Sequence, residues 1–338
     1  MRRLWPLALL AGSWMAGLAQ AQIPGPAAAP VKAMTASKAD ARSLDYRLQA
    51  RELAAGVFVV EGDNDDFTPA NGCNIINTGF VVTGAGLLVI NTGPSKRYGE
   101  QLRALIERTT PVPVTHVLHL NLHPDYFLGN QAFADVPRWA TASTRAGMAH
   151  EAPAYETNLY RLCGDWMKGT STLLPDRDID ALVKTGRWVL GGRELELREF
   201  QGHTDSDLVL VDRSSGVVFA GGLVFAQRVP TTPHAQVGAW LRSLDQAQAL
   251  QWRTVVPSHG PVHTDGSGLV GTRAFLRWLD HGFQSYAEQG WDMNEVLRAP
   301  VPPAFRGWAA FDTEYVRNVA HLYPRYEKAA LQVSAPKR

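Results

Sequence analysis

The chain has 338 residues, with 33 basic side chains against 32 acidic ones and a formal net charge of +1. No basic residues cluster along one face, so nucleic acid is excluded as an expected partner. The length suits one large domain with an addition.

The chain opens Met1-Arg2-Arg3, runs apolar from Leu4 to Leu18 and continues Ala19-Gln20-Ala21. A basic start, a short apolar core and an A-x-A end predict a secretory signal peptide over residues 1–21. The apolar run is shorter than the roughly 20 residues of a spanning helix, so no membrane contact is expected after cleavage. Residues 22–43 are rich in Ala and Pro at first and read as a linker. Two cysteines, Cys73 and Cys163, lie far apart. An exported protein can keep a disulfide; two cysteines far apart can also be separate buried thiols, and sequence does not fix connectivity.

From Leu44 the chain turns dense in Val, Leu, Trp and Phe. Residues 57–60, 79–83 and 86–90 read as strands, the last two joined through Gly84-Ala85-Gly86 as a hairpin. A helix over 98–108 carries Leu102, Leu105 and Ile106 on one face, and 114–118 is a buried strand. A helix is expected to start over 127–133. A short strand follows at 140–142, then helices over 144–150 and 155–167. Hairpins are predicted around Gly191-Gly192 and between 208–211 and 217–220. An amphipathic helix over 237–250 and a strand over 254–256 end the pattern, and 270–289 and 313–331 read as helices. Two β-rich halves, each closed by helices, predict an α/β four-layer αββα sandwich over 44–265 with a helical appendage over 266–338.

The chemistry-bearing residues fall at strand ends, where open α/β sheets bind ligands. Asn121-Leu122-His123-Pro124-Asp125-Tyr126 follows the 114–118 strand, Gly202-His203-Thr204 precedes another, and Pro257-Ser258-His259-Gly260 follows the last. With Asn91-Thr92-Gly93 and Ala220-Gly221-Gly222, these five stretches resemble, in order, the metal-site segments of the metallo-β-lactamase fold. Gly129-Asn130-Gln131-Ala132-Phe133, Arg228-Val229-Pro230-Thr231-Thr232-Pro233 and His321-Leu322-Tyr323-Pro324-Arg325-Tyr326-Glu327 narrow the resemblance to the quinoprotein relay system zinc metallohydrolases. That resemblance implies a periplasmic or secreted protein, a possible quinoprotein dehydrogenase as partner, and a small-molecule substrate of unknown identity.

The resemblance also implies a dinuclear zinc site of seven positions, which here read Asn121, His123, Asp125, Tyr126, His203, Gly222 and His259. Asn121, Tyr126 and Gly222 stand where the family carries two His and the bridging Asp; Asn91 stands where it carries an orienting Asp. The expected metal set is Asn121, His123, Asp125, His203 and His259, holding at most one zinc and weakly, since an amide is a poor zinc donor. In a hydrolase reading, Asp125 deprotonates the water and His259 stabilises the oxyanion. In a non-catalytic reading, Tyr126 and Asn121 contact a ligand or partner directly. A third reading uses Trp278, Trp291 and Trp308 as an interaction surface, against their more ordinary role as core. His116 and His119 are expected to pack. His234 is expected at the site rim. Gly222 is expected to resist substitution because Gly can hold backbone conformations denied to other residues.

Overall fold

A computed structural model describes residues 38–334; the expected signal peptide and most of the linker lie outside them. The first half contributes β1 (Arg51–Ala54), β2 (Val57–Val60), β3 (Thr78–Thr83), β4 (Gly86–Ile90), helix α1 (Lys96–Thr109), β5 (Val114–Leu118), α2 (Pro124–Phe127), β6 (Arg138–Ala140), α3 (Ala142–Cys163) and β7 (Arg177–Asp178). The second contributes α4 (Asp180–Thr185), β8 (Arg187–Leu190), β9 (Arg193–Phe200), β10 (Asp207–Asp212), β11 (Val217–Phe219), α5 (Val237–Ala247) and β12 (Thr254–Val256). Helices α6 (Ser267–Glu288), α7 (Met293–Leu297), α8 (Pro303–Arg306) and α9 (Phe311–Ser334) follow.

Strands β1 to β7 form one sheet in chain order, antiparallel up to β4 and parallel from there on. The other sheet runs β12-β11-β10-β9-β8, parallel only between β11 and β12. The period-two alternation of each strand assigns its two faces. Leu88 and Ile90 of β4 meet Leu208 and Leu210 of β10 between the sheets. Leu87 and Val89 face outward onto Leu102 and Ile106 of α1 and Met148 and Leu159 of α3. Val209 and Val211 face the opposite way, into a core with Trp240 and Leu244 of α5. The result is the predicted αββα order of layers.

That last core continues without a break into Phe275, Leu276, Leu279 and Phe283 of α6 and Val319, Leu322 and Tyr323 of α9. The C-terminal helices therefore share one apolar core with the second sheet. Trp278, Trp291 and Trp308 pack against the same core, which leaves the surface reading without support.

Two local expectations differ from the structure, and one strand has no sequence signal. The helices expected over 144–150 and 155–167 are a single α3 up to Cys163, because Pro153 sits on its exposed side and the helix continues through it, followed by a 3-10 turn, Gly164–Met167. The helix expected over 127–133 is the single turn α2 and a separate 3-10 turn, Asn130–Phe133. Strand β7 has only two residues, both exposed, and offers no alternation to read. Cys73 and Cys163 are joined in a disulfide with Cα atoms 6.0 Å apart. It fastens the segment before β3 to the end of α3.

Candidate active site

The site is built on four strand ends. Asn91, directly after β4, holds a left-handed backbone at φ 58°, which Asn tolerates well. Its Oδ1 accepts from Leu120 N–H at 3.1 Å and fixes the chain leaving β5. Thr92 N–H donates to Tyr126 O at 2.8 Å. His123 is the N-cap of α2 with Pro124 in its first turn, which places Asp125 and Tyr126 on the same turn. His203 follows β9, where Asp207 Oδ2 accepts from His203 N–H (3.0 Å) and Thr204 N–H (2.9 Å). His259 follows β12 and donates Nδ1–H to Ile75 O at 2.8 Å. A carbonyl can only accept, so His259 Nε2 carries no proton in the neutral ring.

These elements bring His123, Asp125, His203 and His259 together. The rings of His123 and His203 stack at 4.8 Å with 19° between planes. His259 Nε2 lies 3.7 Å from Asp125 Oδ2, and Phe225 packs against both His203 and His259. All four, with Asn121 and Tyr126, are buried. Burial pushes the Asp125 carboxyl up to about 7. Burial also holds His123 and His259 well below the ordinary imidazole value, assisted at His259 by the Arg228 charge. Tyr126 is raised by burial and keeps its proton.

Residues 71–259 match the family model of the Metallo-beta-lactamase superfamily. The chain belongs to that superfamily. Among solved structures, a metallo-beta-lactamase from Pontibacter korlensis is 24% identical, with a TM-score of 0.53 over 68% of this chain and 99% of that one. One from Erythrobacter litoralis is 20% identical at a TM-score of 0.51, over 68% of this chain and 96% of its own. A double mutant of the sec-alkyl sulfatase PisA1 is 16% identical at a TM-score of 0.61, covering 82% of this chain and 50% of that chain. At these identities the likeness establishes the fold. No curated protein matches the chain.

The superfamily usually binds zinc, and the side chains at its metal positions are arranged here as follows. Among the described residues, no group of three or more His, Cys, Asp or Glu is placed to hold a metal ion. The Asn121 amide is spent inside the protein: Oδ1 accepts from His123 N–H (3.1 Å), and Nδ2 faces Asp207 Oδ1 (2.6 Å), His203 Nδ1 (3.3 Å) and Thr204 Oγ1 (3.3 Å). His203 Nδ1 lies 3.4 Å from Asp207 Oδ1, and Nε2 faces Thr231 Oγ1 at 3.4 Å. A Cβ on Gly222 would lie 2.1 Å from His203 Nδ1 and 2.9 Å from Asn121 Nδ2. At these positions three buried polar atoms have no hydrogen-bond partner: His123 Nε2, Asp125 Oδ2 and Tyr126 Oη.

His119 packs as expected, with Nδ1 bonded to Tyr126 O, and His116 stacks against Trp139 and Trp188. His234 stands at the rim, its ring 5.5 Å from His123 and its Nε2 3.3 Å from the Tyr155 hydroxyl. Sequence reasoning missed Asp207, Tyr155, Thr231 and Arg228. Asp207 lies four positions after His203 in one short segment, a spacing that could have flagged it. Tyr155 on α3 carries no such signal.

Proposed function

We propose that this chain is an exported, hydrolase-like member of the superfamily that works beside periplasmic quinoprotein dehydrogenases without the two-zinc centre. The observation that carries the reading is the crowding at Gly222. The His203 ring and the Asn121 amide fill the place a bridging carboxylate would take. The donors present do not fit a two-ion site, because Asn121 spends its amide on Asp207 and His203 turns both ring nitrogens to protein partners. What remains toward a metal is His123 Nε2, together with Asp125 Oδ2 and His259 Nε2, the last two 3.7 Å apart. These atoms favour a second reading in which one zinc is held weakly, since zinc sites commonly need three protein ligands or more and, among the described residues, no three such side chains are placed as one set.

Metal analysis of protein purified without chelator or added zinc tests both. We expect well under one zinc per chain; two tightly held ions would refute the proposal. Export rests on the residues before Gln22. N-terminal sequencing of protein from the source cell should begin near that residue, and a retained Met1 would reject it. The quinoprotein association rests on the three family-like stretches, two of which lie on the α2–β6 connection and on the loop carrying Thr231.

A further inference from the structure

We propose that the second sheet carries, at its end remote from the candidate active site, a binding pocket for a small organic anion with a flat apolar body. The proposal goes beyond the reading above and is independent of the metal question. The pocket has a volume of 590 Å³ and lies between the β10–β11 turn and the α5–β12 connection. Small-molecule sites span roughly 300–1,000 Å³, and this one falls among them. Strand β10 runs from Asp207 at the candidate site to Asp212 at this turn, about 17 Å of extended chain.

Asp212 sets the turn. Its carboxylate accepts from the Ser214 and Ser215 hydroxyls and from Ser215 N–H, and Arg193 forks onto both of its oxygens. Asp212 is buried, and its charge is spent within that group. Gly216 closes the turn at φ 73°, and its carbonyl accepts from Arg253 N–H at 2.8 Å. A Cβ on Gly216 would lie 3.0 Å from Arg253 Cγ. The glycine therefore lets the Arg253 stem cross the turn closely. That backbone bond fixes the two walls of the pocket to each other before any ligand arrives.

The lining includes two guanidinium groups, Arg213 and Arg253, and no carboxylate. Arg253 is exposed, and its guanidinium has no hydrogen-bond or ion-pair partner among the described residues. Arg213 Nη1 donates to Glu196 Oε2 at 2.9 Å, but Arg198 Nε takes the other oxygen of that carboxylate at 2.6 Å. Arg213 thus has half a partner and Arg253 has none, so the pocket carries an excess of positive charge. Guanidinium forks match the oxygens of carboxylates and phosphates. Gln248 turns Oε1 to Arg273 Nη2 at 2.9 Å, which leaves its amide N–H groups to donate. Leu250 and Trp252 supply an apolar wall: both pack on the core of the second sheet, and the six-membered ring of Trp252 lies against Gly266. A braced aromatic side chain beside unpaired cations selects a ligand with both an oxyanion head and a flat body. A bare inorganic anion uses only the cations, and a neutral ring uses only the wall.

Calorimetric titration of the full chain with phenyl phosphate, benzoate, inorganic phosphate and phenol tests the pocket. We expect phenyl phosphate or benzoate to bind at one per chain; whichever binds tighter supports the pocket and names its head group. Inorganic phosphate, which lacks the body, and phenol, which lacks the charge, should each bind at least about 10-fold more weakly. Arg253→Ala should weaken the organic anion by about 10-fold or more. Arg213→Gln should also weaken it, and added salt should weaken it further. Both side chains are exposed, so both variants should keep the unfolding midpoint of the parent. In NMR spectra the signals that move on binding should belong to residues 213–216 and 248–253, and among the indole signals of the 10 tryptophans to Trp252. Failure of both organic anions to bind would overturn the pocket. So would equal affinity for inorganic and phenyl phosphate, binding unchanged in Arg253→Ala, or shifts confined to other parts of the chain.

Discussion

Gly222→Asp, made alone, is expected to destabilise the protein by about 3–5 kcal/mol, the usual cost of an unpaired charge in a buried site. The new Cβ would sit 2.1 Å from His203 Nδ1, far inside contact distance. His203 cannot simply swing aside, because Phe225 and Trp240 pack on its ring and Asp207 fixes its backbone. The carboxylate would also approach buried Asp207. The expectation changes if Asn121→His and Tyr126→His are added. Those two changes restore imidazoles at family ligand positions, and a bound cation would pair with the new Asp. The triple variant should therefore be poorly stable without zinc and markedly stabilised by it, by about 2.7 kcal/mol at a hundredfold excess over its Kd. It should take up close to two zinc ions and hydrolyse generic esters or lactams faster than the parent. Single restorations should gain little, since a dinuclear site acts as a unit. Thermal unfolding with and without zinc, together with metal analysis, reads the outcome. A folded triple variant that binds no zinc would mean that the remaining ligand-type residues do not converge as a metal site requires.

The constraint at Gly222 differs in kind from the one expected from sequence. Its φ lies outside the left-handed region, which its neighbour Gly221 occupies at φ 51°. Gly222 is required for space. A sequence shows that a position is Gly; it does not show which ring fills the gap. The same limit explains what else was legible. The alternation in β4 and β10 and the helical face of α1 are local patterns, so the layers could be read. His123, His203 and His259 sit in short segments whose order is itself a signal. Asp207, Tyr155 and Arg228 gain their roles only from side chains far away in the chain. The Cys73–Cys163 bond, spanning 90 residues, is of the same kind.

Glu314→Ala is expected to cost about 3–5 kcal/mol, because it leaves the Arg228 charge buried without a carboxylate. Arg228 is fully buried and donates to Asp65 O at 2.8 Å and Val229 O at 3.1 Å, with Glu314 Oε1 at 3.4 Å. Arg317 completes the cluster, bonding Glu314 at 2.9 Å and both oxygens of Asp66 at 3.0 Å. The cluster thus fastens α9 to the segment before β3 and to the loop that carries Thr231. Its members should contribute unequally. The Arg317 side chain is 40% exposed, so water can solvate its partners when it is removed, and Arg317→Ala should cost about 1 kcal/mol or less. Arg228→Met combined with Glu314→Leu removes both buried charges and should recover most of the Glu314→Ala loss, since apolar replacement of a buried pair is often neutral. Urea unfolding of the four proteins should show midpoints moving in that order with little change in slope. A smaller loss in Glu314→Ala than in Arg317→Ala would show that the Arg228–Glu314 pair does not hold the C-terminal helix to the site.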